Sequence, residues 1–361
     1  MNNIHGISRC VCMFAIISSL ACTKDKTSDT RLPVDGMVTL KVKVTPSADE
    51  PHLFFPGSRA DIPGTADESK ITTLRLLIFK RDKNELEKFV HVTFNPDGSS
   101  GSPAWSASDR SLRVVVSPGP KEVYCLANWS DTPSSDMPEI SDKTVGDTAS
   151  LNNIMRQHSS MPVNPPVMSG RLKALTLVGN EQGITIPIKR QVAKLAIYPM
   201  ISSTLKTLGA DVKISGIKFT NIGIFSLIFE TELPHALAAE GEWDQTDFVG
   251  PLSEKVTAVL PGEAVKYPHE YYLPEHVTDN EKTITNMTIK VIYNGKPTYY
   301  TMHVGELAQT TIPPLRAVRR NRCYNYYLTI QGTGSAVATR TIDGVQDPTF
   351  MNVQCERLEI E

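Results

Sequence analysis

The chain has 361 residues, with 37 Lys+Arg against 39 Asp+Glu and a formal net charge of -2. That length holds two or three domains at roughly 100–200 residues each, and a near-balanced charge with no basic block argues against a nucleic-acid binder. At 40% hydrophobic and 21% charged residues the composition excludes global disorder and a multi-spanning membrane protein, while 25 Pro and 22 Gly favour many short strands joined by turns.

Residues 1–21 carry Arg9 and then an apolar run from Val11 to Leu20. The run is too short for a bilayer core, which needs about 20 residues, and reads as a secretory signal. Ala21-Cys22 and the polar stretch Thr23 to Thr30 resemble a bacterial lipoprotein signal, in which the Cys22 thiol is acylated and becomes the first residue. A plain signal peptide with an incidental Cys22 is the alternative. Of the six Cys, Cys10 and Cys12 would leave with the signal and Cys22 would carry lipid, so Cys125, Cys323 and Cys355 remain. None has C-x-x-C spacing, which argues against a zinc or redox site. A Cys323–Cys355 bridge is conceivable, but buried unpaired Cys acting as small hydrophobes is the favoured reading.

Residues 22–36 form a polar tether. From Met37 to Thr45, Val38, Leu40, Val42 and Val44 alternate with Thr39, Lys41 and Lys43, the pattern of a half-buried strand. The following stretch, Phe54-Phe55-Pro56-Gly57-Ser58-Arg59-Ala60-Asp61-Ile62-Pro63-Gly64, is rich in breakers and predicts an exposed loop. Ile71 to Phe79 follows, and its unbroken Leu76-Leu77-Ile78-Phe79 predicts a central strand covered on both faces. Further strands are predicted at Phe89 to Phe94, Leu112 to Val116, Val123 to Ala127 and Ile184 to Ile188, a spacing that favours a β-sandwich. Residues 147–158 place Leu151, Ile154, Met155 and His158 at helical spacing behind Asp147 or Thr148 as N-cap, which predicts one short helix with His158 at the edge of its packing face.

Near Lys189-Arg190 the pattern restarts. Strands are predicted at Val192 to Ile197, Val212 to Phe219, Ile224 to Phe229, Thr283 to Tyr293, Tyr299 to Val304, Tyr324 to Ile330 and Met351 to Ile360. The expected organisation is an all-β chain with one or two short helices. Its N-terminal sandwich spans 37–188, with a first strand at 37–45 and a protease-sensitive loop at 46–70, and its C-terminal sandwich spans 189–361.

Chemistry-bearing motifs are missing from the sequence. There is no G-x-S-x-G, H-E-x-x-H, P-loop or dinucleotide fingerprint, and Gly332-Thr333-Gly334 reads as a turn. His269-Glu270 and Glu275-His276 lie too close along an extended segment to build a metal site alone. The reading is a non-enzymatic protein with no cofactor and no metal.

The order of segments resembles the fimbrillins of Bacteroidia, above all the FimA-like shaft subunits. The residues that carry the likeness are Ala66-Asp67-Glu68-Ser69-Lys70-Ile71 leading into Leu74 to Phe79, Val123-Tyr124-Cys125-Leu126-Ala127-Asn128, Lys189-Arg190 with Val192 to Leu195, Arg319-Arg320-Asn321-Arg322 with Tyr324, and Tyr327 to Ile330 with Asn352 to Cys355. The resemblance implies two tandem transthyretin-like β-sandwich domains and a fimbrial subunit exported as an outer-membrane lipoprotein. It also implies that an Arg-specific surface protease cuts the loop after the first strand, between Arg59 and Ala60. The removable strand, with Val38, Leu40, Val42 and Val44, then gives way to a strand from a neighbouring subunit. Burial of those four is worth about 1.5–3 kcal/mol each, or about 6–12 kcal/mol, against a domain stability of about 5–15 kcal/mol. Losing such an edge exposes an apolar trough, the template for strand addition. Removing residues 1–59, with 7 basic and 5 acidic, would leave 302 residues with 30 basic and 34 acidic and a charge of -4.

The implied partners are other fimbrial subunits, the protease, the outer membrane through lipid before processing, and a host or bacterial surface ligand, with no nucleic acid. Six residues follow Cys355, whereas the shaft fimbrillins continue with a longer apolar tail. A tip or accessory subunit mediating adhesion is therefore favoured over a shaft subunit. A surface glycan-binding lipoprotein is the alternative of another class, with Trp105, Trp129 and Trp243 as sugar platforms.

Overall fold

A computed structural model describes residues 36–46, 67–106, 111–158, 165–223, 225–230, 246–249, 257–258, 267, 269–277, 283–307, 316–334 and 353–360, with the backbone alone at 246–249, 257–258, 306–307, 316 and 353–360. The expected all-β architecture is borne out, with two helices of five residues each among the described residues.

The first half contains β1 (Val38–Pro46), β2 (Thr73–Lys80), β3 (Glu85–Thr93), β4 (Trp105–Ser106), β5 (Ser111–Val116), β6 (Gly119–Ala127), α1 (Thr148–Asn152), β7 (Met155–Gln157), β8 (Met168–Leu177) and β9 (Glu181–Arg190). Hydrogen bonding follows the order β3-β2-β6-β8-β9-β1-β5-β4. β8 and β9 pair only at Met168 with Arg190 and at Ser169 with Lys189. Beyond those pairs the path folds over, so β3-β2-β6-β8 faces β9-β1-β5-β4 across one shared apolar core. Gly170 sits where the two strands part. A Cβ there would lie 2.1 Å from the Pro187 carbonyl oxygen, so only glycine permits this approach.

β2 behaves as its unbroken apolar run requires. Leu76 and Ile78 enter the core between the layers, while Leu77 and Phe79 join a second cluster with Tyr124, Leu126, Trp129, Ile140, Val145 and Leu151 on the outer face. The loop following β6 therefore acts as a third layer.

The helix expected over 147–158 stops early. Asp147 caps α1 by accepting from the Ser150 amide, and Asn153 closes it after five residues. Met155–Gln157 is then a strand, antiparallel to β12 (Phe225–Leu227), and the buried His158 bonds Ser226 Oγ at 2.8 Å. The Asn152-Asn153 pair is poor helix material, and cross-chain pairing replaced the helical turn that periodicity alone allowed.

The second half contains β10 (Val192–Ile201), α2 (Ser203–Thr207), β11 (Val212–Ile222), β12, β13 (Thr246–Val249), β14 (Thr257–Ala258), β15 (Tyr271–Pro274), β16 (Asn286–Tyr293), β17 (Lys296–His303), β18 (Glu306–Leu307), β19 (Arg316–Ala317), β20 (Cys323–Ile330) and β21 (Val353–Ile360). One sheet runs β15-β10-β20-β21 and the other β13-β11-β16-β17, with β14 also on β11. Their facing side chains, including Leu195, Ile197, Phe219, Tyr271, Val291, Tyr324 and Leu328, form one core.

Cys323 Sγ donates to Asn325 Oδ1 at 3.9 Å. The register sets Tyr324 against Ile360 and Leu328 against Cys355. Cys323 thus lies five positions along β20 from Leu328, about 16 Å at the rise of a strand, whereas a disulfide needs Cα atoms within about 7 Å. The conceivable Cys323–Cys355 bridge is excluded in this register. Cys125 is a free thiol buried in the first core, and burial pushes its pKa up.

Candidate functional site

The candidate site is β1 and the slot it fills. β1 is an interior strand, paired on both sides, and not a sheet edge. It runs parallel to β9 from Thr39 opposite Glu181 to Pro46 opposite Ile188, and antiparallel to β5 from Val38 opposite Val116 to Val42 opposite Leu112. Two ladders therefore hold a segment whose chain neighbour in sequence, β2, lies in the facing layer.

Alternation decides which side chains the slot holds. Val38, Leu40 and Val42 are at most 1% exposed, and Val44 packs half-buried against the same core. They meet the core residues Val114, Val116, Ile186 and Ile188 of the flanking strands and Leu76 and Ile78 of the facing layer. The outward Lys41 pairs with Glu181. Where the slot passes Val116, the chain continues to Ser117, whose hydroxyl receives a bond from Lys121 Nζ at 2.8 Å. Lys121 is itself buried and ion-paired with Glu87 at 2.6 Å. The hydrogen bonds from Lys121 and Ser117 outweigh the burial that would raise the Glu87 pKa, and hold it below the usual carboxylate value. The slot offers apolar walls and two ladder edges, which suit an extended strand.

Cys22, Arg59 and Ala60 lie outside the described residues. The chain is described again from Asp67. Of the three Trp, Trp129 is 1% exposed in the outer cluster and donates Nε1–H to the Pro138 carbonyl at 3.0 Å. Trp105 packs edge-on against Phe94 with ring centroids 4.9 Å apart, and Trp243 lies outside the described residues. A buried Trp129 and a packed Trp105 do not offer the open ring face that a sugar platform needs.

Sequence reasoning missed a polar layer where the two halves meet. Ile228 and Phe229, from the second half, insert into the outer cluster of the first. The Ile228 carbonyl accepts from Ser169 Oγ, Gln191 Nε2 and Arg320 Nη1. Arg320 pairs with Glu275 at 2.6 Å with both side chains buried, and His276 bonds Thr285 Oγ1 at 2.9 Å. Glu275 thus serves the junction through Arg320, while His276 bonds within the second half.

Burial, with the charges of Arg156 and Arg320, lowers the His158 pKa to about 3, and burial lowers that of His276 to about 4. Both are neutral in the fold and near 6.5 when unfolded. Their contribution is complete above pH 6.5 and is lost as pH falls from there toward 4, at about 1.4 kcal/mol per unit for each group. Urea unfolding at pH 5.0 is expected to show about 4 kcal/mol less stability than at pH 7.5, and equal midpoints would contradict neutral burial of the pair.

Residues 56–214 match the family model for the major fimbrial subunit protein (FimA). Among solved structures, a candidate cell adhesion protein from Parabacteroides distasonis is 16% identical with a TM-score of 0.53, covering 82% of this chain and 89% of that one. The tip fimbrial protein Mfa3 from Porphyromonas gingivalis, with a C-terminal truncation, is 15% identical with a TM-score of 0.50, covering 90% of this chain and 98% of that one. A candidate cell adhesion protein from Bacteroides eggerthii is 12% identical with a TM-score of 0.53, covering 90% and 95%. A comparison with curated proteins finds no match. The resemblance to FimA-like fimbrillins is borne out over residues 56–214, and the solved structures share the fold.

Proposed function

We propose that the chain is exported as a lipoprotein acylated at Cys22, cut between Arg59 and Ala60 by an Arg-specific surface protease, and assembled into fimbriae when a neighbouring subunit's strand replaces β1. The single observation that carries this reading is the placement of β1. An interior strand whose apolar side chains are buried is joined to the rest of its sandwich covalently only through residues 47–66. The family match begins at residue 56 and leaves β1 outside it, which agrees with a subunit whose working form lacks that strand. The same reading divides the chain into a signal at 1–21, a tether at 22–36 and sandwiches at 37–188 and 189–361.

Within the fimbria we place the subunit at the tip or in an accessory position, where it would carry adhesion. Support comes from β21, which is antiparallel to β20 from Val353 to Ile360 and so is used in its own sheet. A shaft role is the second reading, because β21 lies at the sheet edge with β20 as its partner and could be released to donate.

The test is the N-terminus of protein recovered from the cell surface. A start at Ala60 is expected in fimbriae, and Arg59→Ala is expected to accumulate an unpolymerised precursor that retains β1. Normal fimbriae built from the uncut variant would overturn the processing step.

A further inference from the structure

Glu68 belongs to the short stretch between the loop after β1 and the start of β2, and it is 1% exposed. Its Oε2 accepts from Arg190 Nη1 at 3.1 Å, and its Oε1 from Lys194 Nζ at 2.8 Å and Tyr272 Oη at 2.5 Å. Arg190 ends β9, whereas Lys194 lies on β10 and Tyr272 on β15, the two paired strands of the second half. Arg190 also donates its backbone and Nε hydrogens to Asn321 Oδ1, at 3.1 and 3.2 Å. Lys194 reaches Glu270 at 2.9 Å. One carboxylate from ahead of β2 thus gathers donors from both sides of the junction.

The same stretch is held from its other side. Asn128, left-handed at φ 60°, donates Nδ2 hydrogens to the carbonyls of Lys70 and Pro166 and accepts from the Thr72 amide and hydroxyl. The segments around Glu68, Asn128, Arg190 and Asn321, each conspicuous in the sequence, therefore converge on one place that strand replacement does not use. A buried ion cluster is a poor source of bulk stability, because desolvation offsets much of its attraction. Its geometry is what a hydrophobic contact could not supply, since Arg190, Lys194 and Tyr272 donate to the two carboxylate oxygens from different strands and together fix its position.

We infer that Glu68 is a latch that locks the stretch after the loop onto the second sandwich, so that the two sandwiches unfold and move as one unit. The latch exists in the intact chain and does not depend on processing. A further consequence does rest on the proposed cut: when β1 leaves, the chain from residue 67 onward stays seated at the junction.

The test uses the full chain and Glu68→Gln, a change that keeps size and removes charge. Calorimetry of the unaltered protein is expected to give one unfolding transition, and that of Glu68→Gln two. Hydrogen exchange is expected to rise at least tenfold in peptides covering 67–72, 189–195 and 270–273, while the β16–β17 hairpin is unchanged. One transition and unchanged exchange in Glu68→Gln would overturn the latch. Should that variant fail to fold, Tyr272→Phe removes one hydroxyl and is expected to give a severalfold rise confined to the same peptides, and its absence there would equally overturn the proposal. Both arms are read on uncut protein, so failure of the Arg59 cut leaves them interpretable.

Discussion

A chain cut in the loop after β1 and separated from residues 1–59 in denaturant is expected to refold with a first sandwich at least about 5 kcal/mol less stable than in the intact protein. The magnitude follows from three side chains. Burying Val38, Leu40 and Val42 contributes about 1.5–3 kcal/mol each, with Val44 adding part of that and the two ladders adding a net contribution per bond. That sum is of the order of a domain's whole stability, about 5–15 kcal/mol. Trp129 and Trp105, both in the first half, report its unfolding by fluorescence. A synthetic peptide of the β1 sequence, Val38 to Pro46, is expected to restore the midpoint in proportion to its concentration, and the same peptide carrying Leu40→Asp to restore nothing, because it would bring an unpaired carboxylate into the core. A cut protein as stable as the intact one would show that β1 is dispensable, and strand replacement would lose its driving force.

How far this site was legible in the sequence depends on the range of the interactions that make it. β1 could be read because alternation is local: Val38, Leu40, Val42 and Val44 point one way whatever their partners are. The doubly covered β2 was equally plain from Leu76-Leu77-Ile78-Phe79, whose two faces now lie in separate clusters. What sequence could not supply was the neighbour of β1. An early strand suggested an edge, yet β1 is placed between β9 and β5 by pairings that span 142 residues to β9 and 70 to 78 residues to β5. β8 escaped notice because its Gly170 and basic residues break the apolar pattern, and the glycine is required by the close passage of Pro187. The polar junction was invisible for the same reason: Glu68 and Arg190 are 122 residues apart, and Glu275 and Arg320 are 45 apart.

Arg320→Met is expected to cost about 3–5 kcal/mol, the usual result of taking one partner from a buried ion pair. Arg320 has four roles to lose. Its Nη2 meets Glu275 Oε2 at 2.6 Å and its Nε meets the same oxygen at 2.9 Å, while Nη1 and Nη2 also donate to the carbonyls of Ile228 and Leu227 at 3.1 and 2.8 Å. Those carbonyls position the residues that Ile228 and Phe229 send into the first half, so the loss is expected to loosen the junction as well as the second core. A double variant, Arg320→Met with Glu275→Leu, removes the stranded carboxylate and is expected to recover more than half of the deficit, since an apolar pair of similar volume carries no desolvation cost. Urea denaturation of the wild type, both single variants and the double variant closes the cycle. Strictly additive losses would mean that the two side chains act separately, and the ion pair would then not be what holds Ile228 in place.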